Sequence, residues 1–275
     1  MSSVSPSIAP VPGAGDRTFH ASNFKSMHTV VDCVPNEDAL FLVVRDVMQT
    51  FATAADEVAV CRYVRDLKGS VARTGATTLS TQCAAIWTSP LELVGLTFYG
   101  TIQHVLREDR EGRLLRDVVA FVKTLNQTLV CRGPDLNDLQ FPDRLFRGSW
   151  LPFDEVQKFK VAVDYRVPML LATSEQSTIS TGLLSSFPKD TTTHWPVLFV
   201  FHIDQELKCT QANLLEAFTT VKAEREWLFV PYSTFKVRTE AVISNPTLNN
   251  PVLIEIDVFP DNKAADEQLP LFWWH

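Results

Sequence analysis

The sequence predicts an α+β fold, with an N-terminal helical region followed by a core of mixed or antiparallel sheet. Two observations carry this expectation. Up to about residue 126, apolar residues recur at three- and four-residue steps, the period of an amphipathic helix. Past about residue 143 the apolar runs become short, rich in Val, Phe and Leu, and are broken by Pro, Ser, Thr and Asp, as strands and turns are. Helices come first and strands afterwards, which argues against alternating βαβ units. The expected divisions are a disordered tail over 1–15, rich in Ser, Pro, Ala and Gly, a helical region over 16–140 and a sheet-rich core over 141–275.

The helical region is read element by element. Leu40, Val43, Val44, Val47, Met48 and Phe51 share one helix face, with Glu37 and Asp38 in the first turn where negative charge suits the dipole. Val58, Cys61, Val64 and Leu67 suggest a second helix. Ser89-Pro90-Leu91-Glu92 has the form of a helix start, with a cap, a proline at the first position and a returning acid. The stripe Leu91, Val94, Phe98, Ile102, Val105 follows it. A further helix carries Leu115, Val118, Val119, Val122 and Leu125 and is expected to end before Gly133-Pro134. Strands are expected at 144–149, 161–165, 169–173, 197–203, 226–230, 235–237 and 252–259, the last with clean alternation of Val252, Ile254, Ile256 and Val258 against Glu255 and Asp257.

Composition bounds the function. With 275 residues and 45% hydrophobic content, the chain can bury a large core. A net charge of -7 without any Lys/Arg block argues against a nucleic-acid partner. Cys33, Cys61, Cys83, Cys131 and Cys209 are widely spaced and form no CxxC, so neither a zinc site nor a disulfide framework is expected. No basic, apolar leader and no run of 18 apolar residues is present, so the expectation is a soluble cytoplasmic protein without a membrane partner. There is no GxSxG, P-loop, GxGxxG or HExxH. His194 and His202 flank a strand and are read as core-edge residues. The apolar stretch Leu269–Trp274 is read as docking on its own core rather than on a partner.

Three places could carry chemistry. In Glu224-Arg225-Glu226, two carboxylates two residues apart project to one side if the segment is extended, ahead of the apolar run Trp227–Val230. Burial and a like-charged neighbour both raise a carboxylate pKa in such a position. In Leu145-Phe146-Arg147-Gly148, an arginine at the end of an apolar run offers a rigid fork of donors to a phosphate, and Gly148 lets a ligand or another backbone come close. In Leu171-Ala172-Thr173-Ser174, hydroxyls could hold a ribose or orient an acid. Taken singly, each also fits a plainer reading: a solvated loop, an edge-strand ion pair, a polar strand end.

In order, the three elements resemble the arginine–serine–glutamate signature of the mono-ADP-ribosyltransferase family, in its arginine-specific group. Leu145-Phe146-Arg147-Gly148 is similar to the family's Leu/Val-Tyr-Arg-Gly strand, and Leu170–Ser174 to its Phe-x-Ser-Thr-Ser strand. Glu224-Arg225-Glu226-Trp227-Leu228-Phe229-Val230-Pro231-Tyr232, continuing to Phe235-Lys236-Val237, resembles its Glu-x-Glu segment over the longest match. Ile86-Trp87-Thr88, ahead of a helix ending in Leu106-Arg107, extends the resemblance to roughly residues 85–260, whereas 16–84 has no counterpart. The resemblance implies a two-sheet core and NAD as co-substrate. It implies Glu226 as the carboxylate at the ribose, Glu224 as the acid that positions an arginine of a protein acceptor, and Arg147 as the pyrophosphate clamp. Gly148, Thr173 and Ser174 join Arg147 as NAD-binding residues, and no metal is implied. Arg166 is a fallback for the Arg147 role. Ala172 stands where the family has its first hydroxyl, so NAD hydrolysis, or NAD binding without turnover, stays open beside arginine transfer.

Overall fold

In a computed structural model, residues 21–130, 140–186, 189–215, 219, 225–239 and 246–261 are described. The expected tail over 1–15, Cys131, Gly133-Pro134 and the stretch Leu269–Trp274 lie outside them. The chain divides into two compact units, one mainly residues 21–128 and the other mainly 129–216 and 222–275. The four described cysteines are free thiols. Among the described residues, no helix is long and apolar enough to cross a membrane.

The first unit holds α1 (Asn23–Val30), α2 (Glu37–Phe51), α3 (Glu57–Arg73), α4 (Leu79–Trp87), the hairpin strands β1 (Glu92–Leu93) and β2 (Leu96–Thr97), α5 (Phe98–Glu108) and α6 (Arg113–Leu129). On α2, Leu40, Val44, Val47 and Met48 are buried as the periodicity predicts, and the Asn36 side chain accepts from Ala39 N–H to start the helix. The α6 stripe Leu115, Val118, Val119, Val122 and Leu125 is likewise buried.

Two expectations change. On α3 the buried residues are Val60, Tyr63, Leu67 and Val71, whereas Val58 is 65% exposed and Cys61 is exposed. The two stripes share Leu67, and burying Tyr63 decides between them, because its large apolar body gains more than Cys61 would. The helix expected from Ser89 begins instead at Phe98, capped by Thr97. Val94 and Gly95 both have positive φ, 50° and 79°, as a two-residue hairpin turn of primed type requires, so Glu92 pairs with Thr97 in a ladder and is not a helix residue.

Asp109 fastens this unit. It ends α5 in the left-handed region, and its carboxylate accepts from the backbone N–H of Asn23 (2.9 Å) and Phe24 (2.7 Å) at the start of α1. At the other end of α1, Lys123 Nζ donates to the carbonyls of His28 and Val31. The acid thus meets the positive end of the helix dipole and the ammonium the negative end.

The second unit contains one hydrogen-bonded sheet of eight strands: β3 (Arg144–Pro152), β4 (Asp164–Val167), β5 (Leu171–Ser174), β6 (His194–His202), β7 (Ala212–Leu214), β8 (Glu226–Phe229), β9 (Ser233–Val237) and β10 (Val252–Val258). Among the described residues, two helices accompany it, α7 (Phe153–Val156) and α8 (Ser177–Ser186). The strand order is β4-β9-β10-β6-β3-β5-β8-β7, antiparallel except for the parallel pair β10–β6. The strand expected at 161–165 starts only at Asp164, because Ala162 has φ 61° and Val161 and Val163 are exposed. β7 was not foreseen.

The sheet curls. In a flat sheet at about 4.8 Å per strand, β8 and β9 would lie about 24 Å apart. Yet the rings of Phe229 on β8 and Phe235 on β9 are 5.5 Å apart, and Phe201 on β6 lies 6.0 and 5.5 Å from them. The ladder between β3 and β5 is a single register pair, Phe146–Ser174. On its two sides lie a five-strand portion and a three-strand portion, which is the two-sheet expectation in a continuous form.

Asp109→Ala leaves the buried Phe24 N–H without its acceptor. The expected loss of stability is about 1–3 kcal/mol, read as a shift in the urea midpoint at unchanged slope.

Candidate active site

The predicted site residues other than Glu224 fall on three neighbouring strands, β3, β5 and β8. Register places Ser174 of β5 between Phe146 of β3 and Glu226 of β8, one row across the sheet. Ser174 and Glu226 are directly opposed, so their side chains leave the same face with Cβ atoms about 5 Å apart. Ala172 lies opposite Leu228. The hydroxyl-free position in the signature is therefore two residues away from the Glu226 row.

Arg147 sits next to Phe146, where the β3–β5 ladder stops. Its Nη1 donates to the Ala172 carbonyl at 2.8 Å, bridging the two portions of the sheet by a side chain. The fallback Arg166 is only 2% exposed, on the edge strand β4, and donates to the Tyr232 carbonyl at 3.0 Å. Tyr232 has φ 63° and its N–H donates to Val167. Arg166 thus supports the left-handed turn between β8 and β9.

The hydroxyls do separate jobs. Thr173 Oγ1 donates to the Trp227 carbonyl at 3.0 Å, a bond across the β5–β8 pair. Ser174 Oγ accepts from the Gln176 N–H at 3.1 Å. For Gly148, the approaching backbone belongs to α8. A Cβ there would fall on the Ser180 carbonyl oxygen and within 2.9 Å of Leu184 Cγ. Trp150, on the same face of β3, donates from Nε1 to the Leu184 carbonyl at 3.0 Å and fixes the end of that helix.

The Glu224–Glu226 segment departs from expectation. It is not extended, because Arg225 has φ 42°, in the left-handed region. Glu224 itself lies outside the described residues. What holds Arg225 is Glu175, which the sequence reading had passed over. Glu175 Oε2 accepts from Arg225 Nε at 2.6 Å, and Oε1 accepts from Arg225 Nη2 at 2.9 Å and from Trp227 Nε1 at 2.8 Å. Left-handed backbone at a non-glycine residue costs about 1–2 kcal/mol. A partly exposed ion pair alone contributes about 1 kcal/mol or less. The bidentate geometry and the indole bond are needed to tip the balance. Burial raises the Glu175 pKa, but the bonds from Arg225 and Trp227 and the nearby positive charge outweigh it, so the carboxyl sits below its usual range. The signal was present in the register. With Ser174 opposite Glu226, the next position pairs Glu175 with Arg225.

No family model matches the chain, and no protein of curated function matches it in sequence. Solved structures do match. The ADP-ribosyltransferase Vis, bound to an M6 inhibitor, is 15% identical with a TM-score of 0.52, over 90% of this chain and 96% of Vis. A second structure of Vis, a toxin from Vibrio splendidus, is 16% identical with a TM-score of 0.51, over 80% and 93%. The type III effector XopAI from Xanthomonas axonopodis pv. citri is 14% identical with a TM-score of 0.52, over 82% and 85%. The chain has the ADP-ribosyltransferase fold.

Two outcomes follow from this geometry. Gly148→Ala forces α8 off β3 and lowers stability by about 1–3 kcal/mol or more, measured by thermal or urea unfolding. A carboxyl with a depressed folded-state pKa stabilises above its unfolded value of about 4.3, and that stability is lost as pH falls through the folded value. Wild type should therefore be more stable than Glu175→Gln at pH 7, and the gap should close below about pH 4 in denaturation curves taken across that range.

Proposed function

We propose that this chain cleaves NAD and transfers ADP-ribose to an arginine of a protein acceptor. The observation that carries the reading is the row across β3, β5 and β8. It sets Glu226 opposite a hydroxyl and one strand away from the strand that Arg147 contacts. In a fold shared with an ADP-ribosyltransferase, these are the three side-chain types the resemblance calls for.

The chemistry assigned to them is as follows. Heterolysis of the bond between nicotinamide and ribose C1′ leaves the electron pair on nicotinamide and positive charge on the ribose, an oxocarbenium-like transition state. The Glu226 carboxylate, at the start of its strand, stabilises that charge more than it stabilises the ground state and holds the ribose 2′-hydroxyl. Ser174, whose Oγ already accepts from Gln176, is assigned to orient Glu226 through its O–H. This assignment makes Ala172 compatible with turnover. Arg147, anchored at the Ala172 carbonyl, directs its fork to the pyrophosphate. Thr173 acts indirectly, by locking β5 to the Trp227 carbonyl. Glu224 is assigned to the acceptor: it binds the guanidinium and takes the proton released as the guanidino nitrogen bonds to C1′. An arginine of pKa above about 12 needs such a base to become a nucleophile.

The experiment is incubation with labelled NAD and cell lysate, followed by mass spectrometry of the modified residue. Nicotinamide release is measured in parallel with and without an arginine acceptor. Glu226→Gln should abolish label transfer while NAD binding, measured calorimetrically, changes little. Glu224→Gln should lose transfer to arginine and keep slow NAD hydrolysis. Label transfer surviving in Glu226→Gln refutes the assignment. Nicotinamide release that no arginine acceptor alters identifies a glycohydrolase instead.

A further inference from the structure

We propose that Glu175 is a positioning residue, which fixes the Glu226 side chain by gripping both of its chain neighbours. This rests on the reading of Glu226 as the carboxylate that faces the reacting ribose. One carboxylate collects three donors, two from Arg225 and one from Trp227. Those residues stand immediately before and after Glu226, so its Cα lies between two side chains tied to the same carboxylate, just past the end of β5.

The grip falls where the backbone is left-handed, at Arg225 with φ 42°. In a strand, residues on either side of Glu226 share the face opposite to it, which here is the core face that Trp227 enters, fully buried. Glu175 receives both the fork of Arg225 and the indole of Trp227, and so holds the turned residue to the strand that follows it. A slip of one residue between β5 and β8 would send Glu226 to the other face. Any such slip, or a tilt of the strand start, breaks three hydrogen bonds at once. Glu175 follows Ser174, the last residue of β5, so the residue that orients the Glu226 carboxyl and the residue that fixes its backbone are consecutive in the chain. Ser174 sets the carboxyl's direction, and Glu175 sets where it starts from. A group working this way acts on turnover more than on NAD binding, because a displacement of about 1 Å at a reacting group can cost about a hundredfold in rate.

Two measurements on the full chain test this, with Glu175→Ala and, as a second variant should that one not fold, Arg225→Lys. In amide hydrogen exchange, peptides covering 225–229 are expected to exchange at least about tenfold faster than in wild type, while peptides over the β10 segment 252–258 stay unchanged. In nicotinamide release, kcat is expected to fall about 10- to 100-fold with KM for NAD within about threefold, and Glu175→Gln to lie between wild type and Glu175→Ala. The proposal is overturned if exchange over 225–229 is unaffected, if 252–258 loses protection equally, or if a folded variant keeps its kcat and changes only KM. Absence of nicotinamide release by wild type would remove the functional reading, and the exchange experiment would still decide whether Glu175 holds this strand.

Discussion

Three phenylalanine rings, Phe201, Phe229 and Phe235, meet pairwise at 5.5–6.0 Å, although their strands are far apart in the order of the sheet. Removing these rings from water, together with the neighbouring Tyr165 and Phe199, is the dominant gain of the second unit. It can be had only if the sheet bends back on itself. A sheet bent this strongly cannot keep a wide ladder everywhere, and it gives way between β3 and β5, where one register pair remains. Arg147 stands at that point, and the row of Ser174 and Glu226 begins there. The candidate site residues thus lie on the strands where the backbone ladder is interrupted.

Local energetics then favour fixed polar groups over mobile ones. The strand that carries Glu226 is four residues long, too short for its ladder alone to hold the first residue firmly. The surroundings compensate with side-chain bonds to backbone or across strands: Thr173 to the Trp227 carbonyl, Arg147 to the Ala172 carbonyl, Glu175 to Arg225 and Trp227. Arg166 does the same for the turn that follows, where Tyr232 keeps a left-handed conformation. The left-handed residues Arg225 and Tyr232 are each secured by an ionic side chain, of Glu175 and of Arg166, which is how an unfavourable backbone geometry persists.

Much of this was legible in the sequence, and the exceptions have identifiable causes. The stripes of α2 and α6 and the alternation of β10 are long enough for the period to show. On α3, two overlapping stripes shared Leu67, and only packing could choose between them. The start signal at Ser89-Pro90 competed with Val94-Gly95, whose turn chemistry prevailed. β7 is three residues long and leaves no period to detect. At the candidate site, three motifs in the sequence point to β3, β5 and β8, whereas Glu175 carries no motif, because its meaning depends on pairing with a residue fifty positions away. In the sequence, order and the following Gly148 favour Arg147 over Arg166 for the clamp. In the fold Arg166 is buried and donates to the Tyr232 carbonyl.

Among the described residues, the curled sheet has two margins, β4 and β7. Exposed margins are templates on which another chain can add a strand, the route by which β-rich proteins polymerise. These two are four and three residues long, and β4 carries the Asp164–Lys236 ion pair at its entrance. Templates so short give an incoming strand few backbone bonds. Short margins of this kind are one of the means by which sheet proteins limit edge-to-edge pairing.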